Sequence, residues 1–287
     1  MHYVQAKSIL SAQNGMNLYR GCQHGCIYCD SRSLCYQMNH PFEDIEVKEN
    51  ALPLLEKALK AKRKKCMIGT GAMSDPYIPL EERLKLTRGA LELIRRYGFG
   101  VAIQTKSAGI LRDLELLKDI NDQSKAVVQM TLTTFDERLC RIVEPGVNTT
   151  RERVEALMKF RDAGVPTVVW LCPVLPWLND TPENLLGILE YCRGAGVKGI
   201  LNFGMGLTLR DGSREYYYAA LDRHFPGLKQ RYIQAYGNAY ELPSPNAPRL
   251  WQLFHETCET YGIWHNNDQI FRYMTAYEEK ESQLSLF

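Results

Sequence analysis

The sequence predicts an α/β protein with a parallel sheet and helical crossovers. Three observations carry that prediction. Short segments rich in Val and Ile alternate with amphipathic segments of helical period, several of those segments stop at Gly, and the rhythm runs through six units before breaking after Phe203. Six units fall short of the eight that close a barrel, so the sheet should stay open on one side.

In chain order, GMNLYRG (15–21) reads as the first strand, and ENALPLLEKALKAKRKK (49–65) has helical spacing. CMIGT (66–70) is the second strand, and LEERLKLTRGALELIRRYG (80–98) is a single amphipathic helix ending at Gly98. GVAIQTKS (100–107) and the helix GILRDLELLKDIN (109–121) form the next unit. AVVQMTLTT (126–134) follows, and a Thr-x-x-Glu-like cap at Thr149 opens the helix of residues 149–164. VPTVVWLCPVLP (165–176) with the helix of 181–196, then VKGILNFGM (197–205), complete the six strands. Beyond them, residues 213–237 read as a tyrosine-rich helix and residues 248–262 as another. They are expected to form an extension over residues 211–280 that closes the open side or bottom of the barrel. The tyrosines fall at helical spacing, which favours packing over a nucleic-acid stacking platform.

Composition sets the background. With 35 Lys and Arg against 33 Asp and Glu, the formal net charge of +2 neither requires nor excludes nucleic acid. The basic run at 57–65 reads as the solvated end of a helix. No run of 18 apolar residues occurs, and MHYVQAKSIL lacks the apolar core of a signal peptide, so a membrane span is not expected. Nine cysteines without an export signal point to reduced thiols and a cytoplasmic protein.

The chemistry concentrates in YRGCQHGCIYCDSR, where Cys22, Cys26 and Cys29 are spaced C-x3-C-x2-C. Such gaps let one loop wrap its thiolates around one inorganic centre. Three ligands leave a tetrahedral zinc site incomplete, whereas a [4Fe–4S] cube held by three thiolates keeps one iron free of protein. The alternative is structural zinc completed by His24 or Cys35.

With Tyr28 as the aromatic of C-x3-C-x-aromatic-C, the motif resembles the signature of the radical S-adenosylmethionine (radical SAM) superfamily. The resemblance spans about residues 15–210. It implies an open (β/α)6 partial TIM barrel as residues 1–210, a [4Fe–4S] cluster on the three cysteines, and SAM on the open iron. Reductive cleavage of SAM to a 5′-deoxyadenosyl radical is then the activity, fed by a reductase or flavodoxin-type electron donor. GAMSDPYIPLE (71–81), QTKS (104–107), TLTTFDERLCRIVEPG (131–146) and residues 151–180 resemble the spore photoproduct lyase-like branch.

The same resemblance and the strand-end rule nominate further residues. Tyr28 is placed near the adenine, or as a core aromatic. Ser74 and Asp75 stand where the superfamily has Gly-Gly-Glu; they face the SAM amino acid and ribose, or merely cap a turn before Pro76. Lys106 pairs with the SAM carboxylate, or is a solvated lysine. Thr131 and Thr133 alternate with apolar neighbours, and Thr133 is the choice for a ribose hydrogen bond. Cys172 in WLCPV could return a hydrogen atom to a substrate radical, or be a buried structural thiol, and Cys140 has the same two readings.

Two substrate classes compete: DNA or a nucleotide lesion, and a peptide or small metabolite. The final residues Gln283, Leu284, Ser285, Leu286 and Phe287 (tail 281–287) resemble the pentapeptide by which bacterial polymerases and repair proteins dock on the DNA sliding clamp. That would favour nucleic acid; the alternative is a tail packed on the barrel.

Overall fold

The computed structural model describes residues 1–71 and 73–280. Among the described residues eleven strands are β1 (His2–Val4), β2 (Gly15–Met16), β3 (Tyr19–Arg20), β4 (Glu46–Lys48), β5 (Met67–Thr70), β6 (Gly100–Thr105), β7 (Ala126–Thr131), β8 (Thr167–Trp170), β9 (Gly199–Leu201), β10 (Gly206–Thr208) and β11 (Glu241–Pro243). The helices are α1 (Ala51–Ala61), α2 (Glu81–Leu84), α3 (Leu86–Arg96), α4 (Leu114–Gln123), α5 (Glu137–Val143), α6 (Thr150–Asp162), α7 (Pro182–Ala195), α8 (Ser213–His224), α9 (Leu228–Tyr236), α10 (Ala247–Tyr261) and α11 (Asn267–Thr275).

Six strands form one all-parallel sheet in the order β2-β5-β6-β7-β8-β9, the expected partial barrel. Side chains alternate across it as the pleat requires. Ile68, Ile103, Val128, Val169 and Ile200 face outward into the helical layer. Met67, Ala102, Val127, Val168 and Leu201 face inward, where Ile270 and Met274 of α11 plug the end at which the strands begin. Lys125 fastens that plug, its ammonium donating to the carbonyls of Tyr273 (2.8 Å) and Ala276 (3.2 Å). The extension therefore closes the bottom and leaves the carboxyl ends of the strands open. It also covers the outer strand of the sheet, because Ile200 N donates to Trp264 O at 2.8 Å.

Three expected elements are divided. The first strand splits: Gly15–Met16 joins the barrel, while Tyr19–Arg20 pairs antiparallel with β4 in a small sheet β1-β4-β3. The chain has to leave the barrel there to begin the cysteine loop. The helix of 80–98 breaks at Lys85, which is left-handed (φ 53°). Glu81, 1% exposed, stabilises the break by accepting from Thr87 N (3.0 Å), the Tyr19 hydroxyl and Arg112 Nη2 (2.8 Å). The tyrosine-rich helix becomes α8 and α9, interrupted at Pro226-Gly227 because proline ends a helix and Gly227 takes φ 84°. Its tyrosines pack: Tyr217 and Tyr232 are fully buried, with their hydroxyls 2.9 Å apart. Among the described residues no helix is long and apolar enough to cross a membrane.

Glu81 holds two elements that local sequence does not join. Glu81→Ala should destabilise the fold by about 3 kcal/mol, because it strands buried donors and one side of Arg112. The urea midpoint should fall with the slope unchanged; an unaltered midpoint would remove Glu81 from this role.

Candidate active site

The cysteine loop starts directly after β3 and is pinned at four points. Cys22 N donates to Phe42 O (3.1 Å), Ile27 N to Val143 O (3.0 Å) and Gly146 N to His24 O (2.8 Å). Ser74 Oγ donates to Gly21 O (2.6 Å). Held this way, the free thiols of Cys22, Cys26 and Cys29 line one cavity of about 130 Å³ together with Tyr28, Lys106 and Thr131. Gly71 lets strand β5 end against β6 beside it. It has φ +97°, and a Cβ there would lie 2.0 Å from Gln104 O.

Asp75 ties the loop to the barrel. Its carboxylate accepts from Thr105 Oγ1 (2.6 Å), Lys106 N (2.7 Å) and Tyr77 N (2.8 Å), and pairs with His24 Nε2 at 3.2 Å. Burial alone would favour the neutral acid. His24 and these hydrogen bonds overcome it and hold the carboxyl down to about 2. The other ring nitrogen of His24 is also engaged, with Nδ1 3.0 Å from Gly146 O. On the far side of the loop, the Tyr28 hydroxyl donates to Glu144, which also pairs with Arg153; Glu144 and Arg153 are fully buried. Burial disfavours the Glu144 carboxylate, but Arg153 and Lys106 outweigh it and keep its pKa below the usual range.

The donor set suits a cationic sulfur-ligated centre. Burial and the nearby Asp75 charge push the Cys22 thiol up to about 12, and burial raises Cys26 well above its ordinary value. Thiolates at these positions therefore need a bound cation to stabilise them. The zinc alternative loses its fourth ligand. His24 is turned toward Asp75 (Nε2 to Oδ2 3.2 Å) and Gly146 O (Nδ1 3.0 Å), and Cys35 lies exposed with its sulfur accepting from Arg210 Nη1 at 3.3 Å.

A second cavity of about 510 Å³ opens at the barrel mouth and shares Tyr28, Cys29 and Lys106 with the first. Its wall is mostly apolar, with Phe203, Met205, Leu207, Leu242 and Trp251. Cys172 also lines it, its thiol pushed up to about 11 by burial. Lys106 stands between the two spaces. Burial works against its charge, yet its acidic neighbours, Cys26 and Glu144 foremost, outweigh it and raise its pKa. Its ammonium lies 5.9 Å from the centroid of the Tyr28 ring.

The structure thus gathers Cys22, Cys26, Cys29, Tyr28, Ser74, Asp75 and Lys106 around one space, and Cys172 around the adjoining one. Other expectations need correction. Ser74 and Asp75 spend their polar atoms on the protein, so they strap the loop instead of offering those atoms to the cofactor. Thr133 does not line the cavity; Thr131 does. Strand β7 ends at Thr131, so the alternation stops there, and Thr133 is buried with its carbonyl accepting from Asn179 and Asn184. Cys140 faces neither cavity. It is 1% exposed, within a polar cluster of Thr150, Arg153 and Glu144. Glu144 and Arg153 escaped sequence reading, although an Arg on the apolar stripe of helix 149–164 was a readable sign. Residues 283–287, with the proposed clamp contact, lie outside the described residues.

Comparison with known proteins agrees with this geometry. The family model described as Radical SAM superfamily matches residues 16–191. An uncharacterised protein of Mycobacterium tuberculosis is 33% identical over 236 residues, covering 79% of this chain and 68% of its own length. An uncharacterised protein of Methanocaldococcus jannaschii is 32% identical over 244 residues, covering 84% of this chain and 83% of its own. Among solved structures, spore photoproduct lyase complexed with dinucleoside spore photoproduct shares the fold. The TM-score is 0.65 at 14% identity, over 92% of this chain and 80% of that one.

Two mutational outcomes follow from the loop. Cys26→Ala should lose the bound iron and its charge-transfer absorbance, while Cys35→Ala should keep both; the reverse pattern would mean a different ligand set. Asp75→Asn removes no thiolate but weakens the strap. It should lower iron occupancy after reconstitution at unchanged cysteine content, with a stability loss of about 2 kcal/mol.

Proposed function

The chain belongs to the radical SAM superfamily, and from that premise we propose that it takes a hydrogen atom from a ring-bearing substrate of nucleobase size, in DNA or as a nucleotide, at the barrel mouth. The superfamily's cofactors are a [4Fe–4S] cluster and SAM. When bound, they supply a 5′-deoxyadenosyl radical by reductive cleavage of the sulfonium. Cys22, Cys26 and Cys29 would hold the cluster, and Lys106 would pair with the SAM carboxylate.

The observation that carries the substrate side is the shared wall of the two cavities. Tyr28, Cys29 and Lys106 border both, so a ligand in the larger space abuts the cofactor space. Phe203, 58% exposed, and Trp251 offer flat apolar surface there. Cys172 on that wall is positioned to give its thiol hydrogen to a substrate radical. The fold shared with spore photoproduct lyase, solved with a dinucleoside photoproduct, supports the nucleic-acid reading.

Anaerobic incubation with SAM and dithionite should release 5′-deoxyadenosine. Turnover should rise with lesion-bearing single-stranded DNA and stay flat with peptides. Stimulation by peptides or small metabolites alone would transfer the reading to that class.

Lys106→Ala should weaken SAM binding by roughly 1.5–3 kcal/mol, the worth of a charge-assisted hydrogen bond. Equilibrium binding to cluster-loaded protein measures it, and an unchanged dissociation constant would return Lys106 to a purely structural role. Cys172→Ala should leave SAM binding intact but let deuterium-labelled substrate radicals collapse to altered products. Identical products from both proteins would exclude Cys172.

A further inference from the structure

The small sheet that carries the cysteine loop holds a second cluster of ligating side chains, away from both cavities. The parallel register of β1 and β4 sets His2 beside Glu46. The loop entering β4 brings in His40 and Asp44. His2 Nδ1 is 3.0 Å from Asp44 Oδ2, whose other oxygen pairs with the Met1 ammonium at 2.6 Å, and the His2 and His40 rings meet edge to face with centroids 4.6 Å apart. One ligand atom from each of His2, His40 and Asp44 fits within 4.8 Å of the others.

His40 supplies the decisive detail. Its side chain is 10% exposed, and its Nδ1 lies 3.1 Å from the carbonyl oxygen of Pro41. A carbonyl only accepts, so Nδ1 carries a hydrogen, and in the neutral ring Nε2 keeps the lone pair that a metal would take. Histidines that bind metal through one nitrogen commonly donate from the other to a carbonyl in this way. Nε2 is buried, has no hydrogen-bond partner among the described residues, and looks at Glu46 Oε2 from 3.7 Å. In the neutral ring this turns a lone pair toward a carboxylate in a sheltered place, an arrangement that a bound cation or a proton between them relieves. The basic neighbour Arg20, paired with Glu46 across β3 and β4, turns its guanidinium to the carbonyls of Tyr36 (2.6 Å) and Gln37 (3.2 Å).

We propose that His2, His40, Asp44 and Glu46 bind a single borderline divalent cation of the zinc, cobalt or nickel class. Imidazole with carboxylate is the donor set for such ions, at metal–ligand distances of about 2.0–2.2 Å. The 3.7 Å separation of His40 and Glu46 then needs only a small inward movement. Binding clips β1 to the segment that enters β4. Phe42, between His40 and Asp44, accepts the backbone hydrogen bond of Cys22, so the same clip steadies the first cysteine of the loop.

The test uses cluster-loaded protein without a polyhistidine tag, titrated anaerobically with cobalt(II). Visible d–d absorbance and metal analysis are the readouts. One cobalt per chain beyond the iron is expected, displaced by zinc and accompanied by a higher melting temperature. His40→Gln and Asp44→Asn should each lower cobalt affinity by about tenfold or more with iron and sulfide content retained. His2→Gln, at the chain's edge and harmless to folding, should weaken it as well. A variant with Cys22, Cys26 and Cys29 all changed to Ala should still bind cobalt. Absence of cobalt binding by the wild type, or binding undiminished in all three single variants, would overturn the proposal and leave a proton between His40 and Glu46.

Discussion

The carboxylate of Asp75 is the contact on which the site depends. It sits at the end of the second barrel strand, is buried, and still carries charge because His24 and donors from Thr105, Lys106 and Tyr77 converge on it. An unpaired carboxylate in that place would cost several kcal/mol, so the surrounding groups have little freedom to move. Through His24 it positions the middle of the cysteine loop. Through Lys106 N it positions the strand end from which the Lys106 side chain enters the cavity. One acidic side chain thereby aligns the thiols with the barrel.

A second buried ion pair backs the loop from the other side. Glu144 and Arg153 are both fully buried, and the Tyr28 hydroxyl donates to Glu144. Arg153 Nη1 also donates to the carbonyl of Thr131 at 2.7 Å, where strand β7 ends. The aromatic of the cysteine motif is therefore fixed by a charge network and not by packing alone. Its ring can border both cavities without swinging into either. Lys106, facing the negative side of that network, keeps a raised pKa while lying close to the sulfurs.

The two ends of the barrel divide the labour. At the lower end α11 inserts Ile270 and Met274 among inward-facing strand residues, giving the sheet a closed apolar floor. At the upper end Thr70, Thr105, Thr131 and Trp170 end their strands, and polarity rises where loops bring in the cysteines and Lys106. The β10–β11 hairpin, joined through Leu207 and Leu242, builds the outer wall of the larger cavity. The extension after Phe203 thus supplies both the floor and part of the wall of the larger cavity.

Read alone, the sequence determined the alternating α/β architecture, because periods of two and of about 3.6 are written in local residue order. It also determined the thiolate centre, because three ligands within eight residues belong to one loop wherever that loop lies. Lys106 and Cys172 could be read for a related reason: strand ends are where parallel barrels gather function. Tertiary structure alone decided what those neighbours do. Asp75 looks like a cofactor ligand in sequence, but its oxygens meet His24 and residue 106, partners 51 and 31 positions away, respectively. Thr133 looks like a ribose contact and Cys140 like a hydrogen-atom donor, yet both are buried, and strand β7 already ends at Thr131. The helix over 80–98 breaks although its periodicity would continue, since the Glu81 carboxylate caps Thr87 N while the distant Tyr19 and Arg112 hold it in place, which outweighs one residue's helical preference. Local patterns encode elements and contiguous ligands. Which polar atoms remain free for a cofactor depends on donors and acceptors supplied from other parts of the chain, and only the packed chain brings these together.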